Sequence, residues 1–131
     1  MLRIFLALQL LAAVTVIAGA SELHLLAGNW RVTEIKGRAT NATVPTTFNF
    51  MENGRAAGSA GCNRYRAQMT LKDDELSFGI VASTEMMCAP AQMAQETAFL
   101  AQLPAIRGWR IENGKLLLLD AQNNVVLRAE R

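Results

Sequence analysis

Two cysteines, Cys62 and Cys88, are the side chains best suited to chemistry in this chain of 131 residues. A thiol can serve as a nucleophile, a metal ligand or half of a disulfide, and its surroundings decide which. A catalytic thiolate needs a positioned base, and the single histidine, His24, lies at the edge of the domain. A zinc site needs more ligands than two distant cysteines provide. No metal and no cofactor are therefore expected. A disulfide or two buried thiols remain, and export favours the disulfide. Closing that loop would stabilise the fold by about 3–4 kcal/mol on the chain-entropy model.

Other polar side chains near the cysteines could also act. Glu96 falls close to the apolar stripe of a helical segment, where a carboxylate is costly unless an arginine or several amides meet it. Arg64 and Arg66 are the candidate arginines. A lone acid does not make a hydrolase, because general acid–base chemistry needs a second group within reach. Asn63 follows Cys62 where the chain must turn, and asparagine tolerates left-handed φ and bonds nearby backbone. Ser83 and Thr84 have no accompanying base, so hydroxyl-to-backbone bonds are expected there. Met69, Met86, Met87 and Met93 suit core filling, with one of the Met86–Met87 pair exposed if the two alternate sides. No catalytic residue is assigned and no enzymatic activity is expected.

The elements that must position these residues read mostly as β. Trp30–Ile35 alternates apolar and polar residues, and Phe48–Phe50 resumes the alternation after a polar loop. Asn53-Gly54 supplies a two-residue turn into a strand over Ala56–Ala60. Gly58 and Gly61 suggest a bulge or a close backbone approach beside Cys62. Strands follow over Tyr65–Leu71 and Glu75–Phe78. Another hairpin turns at Asn113-Gly114 between Trp109–Glu112 and Leu116–Leu119, and Val125–Leu127 is the last strand. Between them, Pro90 to about Leu103 carries Met93, Leu100 and Leu103 at helical spacing, with Ala89 and Thr97 on the same stripe. The expected fold is α+β: a single domain with a curved antiparallel sheet or incomplete barrel packed around one helix.

Residues 1–20 differ from the rest. A short basic start, an apolar run over Ile4–Ile17 and Ala18-Gly19-Ala20 make a secretory signal with a cut before Ser21. The run is a little short for a membrane anchor, and no lipoprotein cysteine stands at the cut. Residues 21–131 then form one periplasmic or secreted domain with no membrane span. The formal charge is +2. The basic residues are scattered rather than striped, which excludes nucleic acid as the expected partner.

Gly61-Cys62-Asn63-Arg64-Tyr65, then Phe78-Gly79 leading through Thr84 to Met87-Cys88, then Glu96 with Phe99-Leu100, and Gly114 with Leu116–Asp120, resemble the META domain family. Heat-inducible envelope proteins of the HslJ type belong to that family. The resemblance spans about Leu26 to Leu127, and it marks Gly61, Cys62, Asn63, Thr84, Met87, Cys88 and Glu96 as motif residues. It implies a compact antiparallel β fold with one helix. It also implies a non-enzymatic role in envelope stress, including novobiocin-type resistance, through an envelope protein or an apolar ligand. The alternative is a carrier holding a lipid or small apolar ligand between sheet and helix. A monomer is expected.

Overall fold

Alternating sequence becomes strand throughout the computed structural model, which describes residues 18–131. Most of the expected signal, residues 1–17, lies outside the described residues. A helix not expected from the sequence, α1 (Ala18–Leu26), runs across the expected cut and leads into β1 (Gly28–Ile35). Leu26 is fully buried, Leu23 packs beside it, and Trp30 Nε1–H donates to Leu26 C=O at 2.8 Å. The Arg131 guanidinium stacks on Trp30 and donates to the Leu25 and Ala27 carbonyls that close α1. These contacts satisfy C-terminal carbonyls that would otherwise lack partners.

The remaining strands are β2 (Arg38–Ala39), β3 (Thr47–Met51), β4 (Arg55–Ser59), β5 (Arg64–Lys72), β6 (Glu75–Ser83), β7 (Gly108–Glu112), β8 (Lys115–Leu119) and β9 (Val125–Glu130). They form an antiparallel sheet in which β1 pairs with β3 on one side and β9 on the other, so the sheet curls into a ring. The ring is not quite a barrel. Its weak seam lies between β6 and β7, whose register holds only Glu75 opposite Gly108. The α2 helix (Pro90–Gln102), followed by a 3₁₀ turn over Leu103–Ala105, enters between these two strands in sequence. The fold is α+β and one domain, as the alternation and the single long helical stripe imply.

Turn chemistry differs between the two Asn-Gly pairs. Asn113 and Gly114 both adopt positive φ in a two-residue loop, the geometry that type I′ requires. Asn53-Gly54 instead belongs to a three-residue loop, with Met51 opposite Arg55 and only Gly54 at positive φ. The expected two-residue turn is thus one residue longer.

An aromatic cluster fills the ring. Phe48 lies 5.1 Å from Phe50, 5.8 Å from Phe78 and 5.2 Å from Phe99, measured between ring centroids, with Tyr65 at 6.1 Å. Such offset and edge contacts are each favourable by about 0.5–1.5 kcal/mol beyond area burial. Helix α2 is rotated from the expected stripe. Glu96 and Phe99 are its buried residues and Leu103 continues the face, whereas Thr97 and Ala89 are exposed and Met93 and Leu100 only half-buried. The rotation follows from Phe99, whose ring has more apolar area to bury than a methionine at the flank.

Candidate functional site

The motif residues converge where the β4–β5 connection meets the start of α2. Gly61 adopts φ +139°, and a Cβ there would sit 3.0 Å from Gln92 C=O and 3.2 Å from the Glu96 backbone N. Only glycine permits that backbone conformation and that approach together. The helix therefore presses directly on residue 61, which is the close approach expected for Gly61. Gly58 serves the same purpose against Thr47, whose backbone a Cβ at 58 would overlap.

With the helix so close, Glu96 reaches across to the loop. Its Oε1 accepts the N–H groups of Cys62 (3.2 Å) and Asn63 (2.5 Å), and its Oε2 accepts Asn63 Nδ2–H at 2.8 Å. Glu96 is buried. Amides meet this carboxylate, not Arg64 or Arg66, which are exposed strand residues. Desolvation of the acid is offset by three charge-assisted bonds.

Asn63 carries the network onward. Its Oδ1 accepts Thr84 Oγ1–H (2.9 Å) and Met86 N–H (2.6 Å), and its Nδ2 also donates to Met86 C=O at 3.1 Å. Every hydrogen-bonding position of the side-chain amide is thus in use on its favoured partners. Asn63 does not take the left-handed backbone conformation expected of it; Gly61 does. Thr84 Oγ1 in turn accepts Arg64 N–H at 3.2 Å, so this hydroxyl bonds backbone as expected. The Cys62–Cys88 disulfide, with Cα atoms 5.8 Å apart, ties the same two segments covalently. Carboxylate, amide, hydroxyl and disulfide form one lock between loop 60–64, segment 84–88 and helix α2.

Two residues of importance escape sequence reasoning. Gln95, on the polar side of α2, donates to Val44 C=O and Thr46 Oγ1 and accepts Asn41 N–H, which fastens the 40–46 loop to the helix. Glutamine is common on exposed helix faces, so only the loop's position reveals this role. Tyr65 donates to Thr47 C=O at 2.6 Å, and burial pushes its phenol well above the ordinary range. At the helix start, Pro90 occupies the first turn and Gln92 Oε1 accepts Ala89 N–H.

The methionines split differently from expectation. Met69 is in the core, but Met86 and Met87 are both exposed, at 55% and 88%. The Met86 backbone is bound on both sides by Asn63, which turns this segment outward. Among the described residues no cluster of histidine, cysteine and carboxylate is placed to hold a metal, and no helix is long and apolar enough to cross a membrane. His24 is exposed on α1. A groove of about 400 Å³ lies on the surface along β4, β5 and the end of β6, lined by residues including Ala57, Arg64, Arg66 and Ala82.

No curated protein matches the chain. A protein from Burkholderia xenovorans with an NMR structure is similar at 28% identity and TM-score 0.65, covering 85% of this chain and 86% of its own. A second NMR structure, 23% identical with TM-score 0.64, shares the fold over 82% of this chain and 91% of its own. The META domain profile matches residues 22–131, which include the lock, the aromatic cluster and the ring of strands. The chain belongs to the META domain family.

Proposed function

We propose that this protein is an exported, non-enzymatic domain of the HslJ type that acts by binding or stabilising a partner during envelope stress such as heat or novobiocin exposure. One observation carries the reading: the motif's polar atoms are spent on each other. Both oxygens of Glu96 and all positions of the Asn63 amide are engaged inside the lock. A catalytic acid or amide would be directed at a substrate, whereas these groups are directed at the protein's own backbone and at each other. Removal of residues 1–20 before Ser21 leaves Leu23 and Leu26 in place, so export is compatible with the core. The domain works as a monomer.

The carrier reading has less support. It needs a continuous apolar cavity between sheet and helix, and the rings of Phe48, Phe99 and Tyr65 occupy that space at 5.2–6.1 Å between centroids. The test is a broad hydrolase screen on the purified protein, alongside growth of a deletion strain under heat and novobiocin. The expected result is no turnover and a stress-sensitive deletion strain. Turnover abolished by Glu96→Gln or Cys88→Ser would sink the proposal.

A further inference from the structure

Strand β6 outlives its neighbour. Its pairing with β7 stops at Glu75, yet it continues to Ser83 against β5 alone. Thr84 N–H donates to Arg64 C=O. In an antiparallel ladder bonded and non-bonded pairs alternate, so Arg66–Ala82 is bonded as well. The backbone groups of Val81 and Ser83 therefore point away from β5. Among the described residues no hydrogen bond from another element reaches Gly79–Ser83 on that side. The segment is also exposed and apolar, with Ile80 at 86%. Such an edge is a template for another strand.

The face beside the edge has a definite charge. Arg55, Arg64 and Arg66 are exposed on β4 and β5, and the ion pairs among the described residues involve other arginines. Arg66 stands opposite Ala82 on β6. A strand added to β6 would lie about 5 Å beyond it and about 10 Å from β5. Ala82 puts only a methyl group between that strand and the Arg66 guanidinium. Beyond the edge, Met86 and Met87 offer an adaptable apolar contact.

We propose that β6 residues 79–83 bind an extended acidic segment of a partner protein by strand addition, with its carboxylates on the face that carries Arg64, Arg66 and Ile80 and its alternate apolar residues on the opposite face, beside Val81. The backbone edge supplies affinity and the arginines supply selectivity. This deepens the binding role proposed above and rests on it.

The experiment uses purified protein and a fluorescein-labelled peptide of alternating valine and glutamate, followed by fluorescence anisotropy and amide hydrogen exchange. Binding with protection of the Val81 and Ser83 amides is expected. It should weaken roughly tenfold in Arg66→Glu and fade with rising salt. A peptide N-methylated at alternate amides keeps the charge but cannot pair, and it should not bind. That control needs no altered protein; Ser83→Pro, which removes one outward donor, is its counterpart on the chain. Equal binding of a valine–lysine peptide, of the N-methylated peptide, or preferential binding of anionic vesicles or single-stranded DNA overturns the inference. So does protection elsewhere on the surface, a result that leaves the non-enzymatic binding role standing. Turnover in the hydrolase screen would instead remove the broader reading.

Discussion

Replacing Glu96 by glutamine tests whether the lock holds the fold through charge-assisted bonds. The substitution keeps shape and volume. The oxygen of the introduced amide can still accept the Cys62 and Asn63 N–H groups, but as a neutral acceptor. Its NH₂ group replaces Oε2 and faces Asn63 Nδ2, formerly the donor to that oxygen at 2.8 Å. Asn63 cannot flip to relieve this conflict, because its Oδ1 holds Thr84 and Met86 N–H and its Nδ2 holds Met86 C=O. Charge-assisted bonds contribute about 1.5–3 kcal/mol and neutral ones about 0.5–1.5. Two bonds weakened by about 1–1.5 kcal/mol each and one lost to a donor–donor contact at about 1.5–3 kcal/mol together cost about 3.5–6 kcal/mol. At about 4 °C per kcal/mol for a domain of this size, Tm falls by about 14–24 °C. Urea unfolding followed by the fluorescence of buried Trp30 and Trp109, with the disulfide intact, measures the loss. In an Asn63→Ala background the donor–donor conflict is absent, so Glu96→Gln should cost at least about 1 kcal/mol less there. A loss below about 1 kcal/mol, or an unchanged penalty in that background, would refute the reasoning.

Three further outcomes are expected. Reducing the Cys62–Cys88 bond should lower unfolding stability by about 3–4 kcal/mol, and free thiols titrated in the native, non-reduced protein would contradict the bond. Gly61→Ala should cost about 2–4 kcal/mol, because the Cβ meets Gln92 C=O at 3.0 Å in a left-handed conformation; a variant as stable as the parent in denaturant would disprove the close approach. Tyr65 is the single tyrosine, so its ionisation can be followed directly by near-ultraviolet absorbance. Its folded pKa is raised above the ordinary value of 10.0, so its contribution to stability is complete below that pH and declines as pH rises beyond it. Tyrosinate should therefore appear only as the fold is lost, and a titration near pH 10 with circular dichroism unchanged would overturn this.

Local pattern was enough for most of the elements. Trp30–Ile35, Phe48–Phe50, Trp109–Glu112 and the helix after Pro90 could be read because periodicity and turn residues act over a few positions. The loop at Asn53-Gly54 is one residue longer than the dipeptide implies, since the same pair serves more than one loop length. The buried face of α2 departs from the stripe that the sequence implies because Met93 and Leu100, at its flank, line up with Leu103 as an apolar row. Only contact with Phe48 and Tyr65 makes Phe99 the buried centre.

By itself the sequence determined the α+β class and the need for Glu96 to find partners. A buried carboxylate carries that requirement wherever the chain folds. Which partners it found was decided by tertiary structure. Gly61 lets α2 approach closely enough for Glu96 to reach two backbone amides, so Arg64 and Arg66 stay outside on the sheet. The exposure of both Met86 and Met87, where alternation implies only one, and the open edge of β6 are likewise tertiary. The edge depends on where β7 stops, and the methionines on Asn63 holding the Met86 backbone, so residues distant in sequence set both.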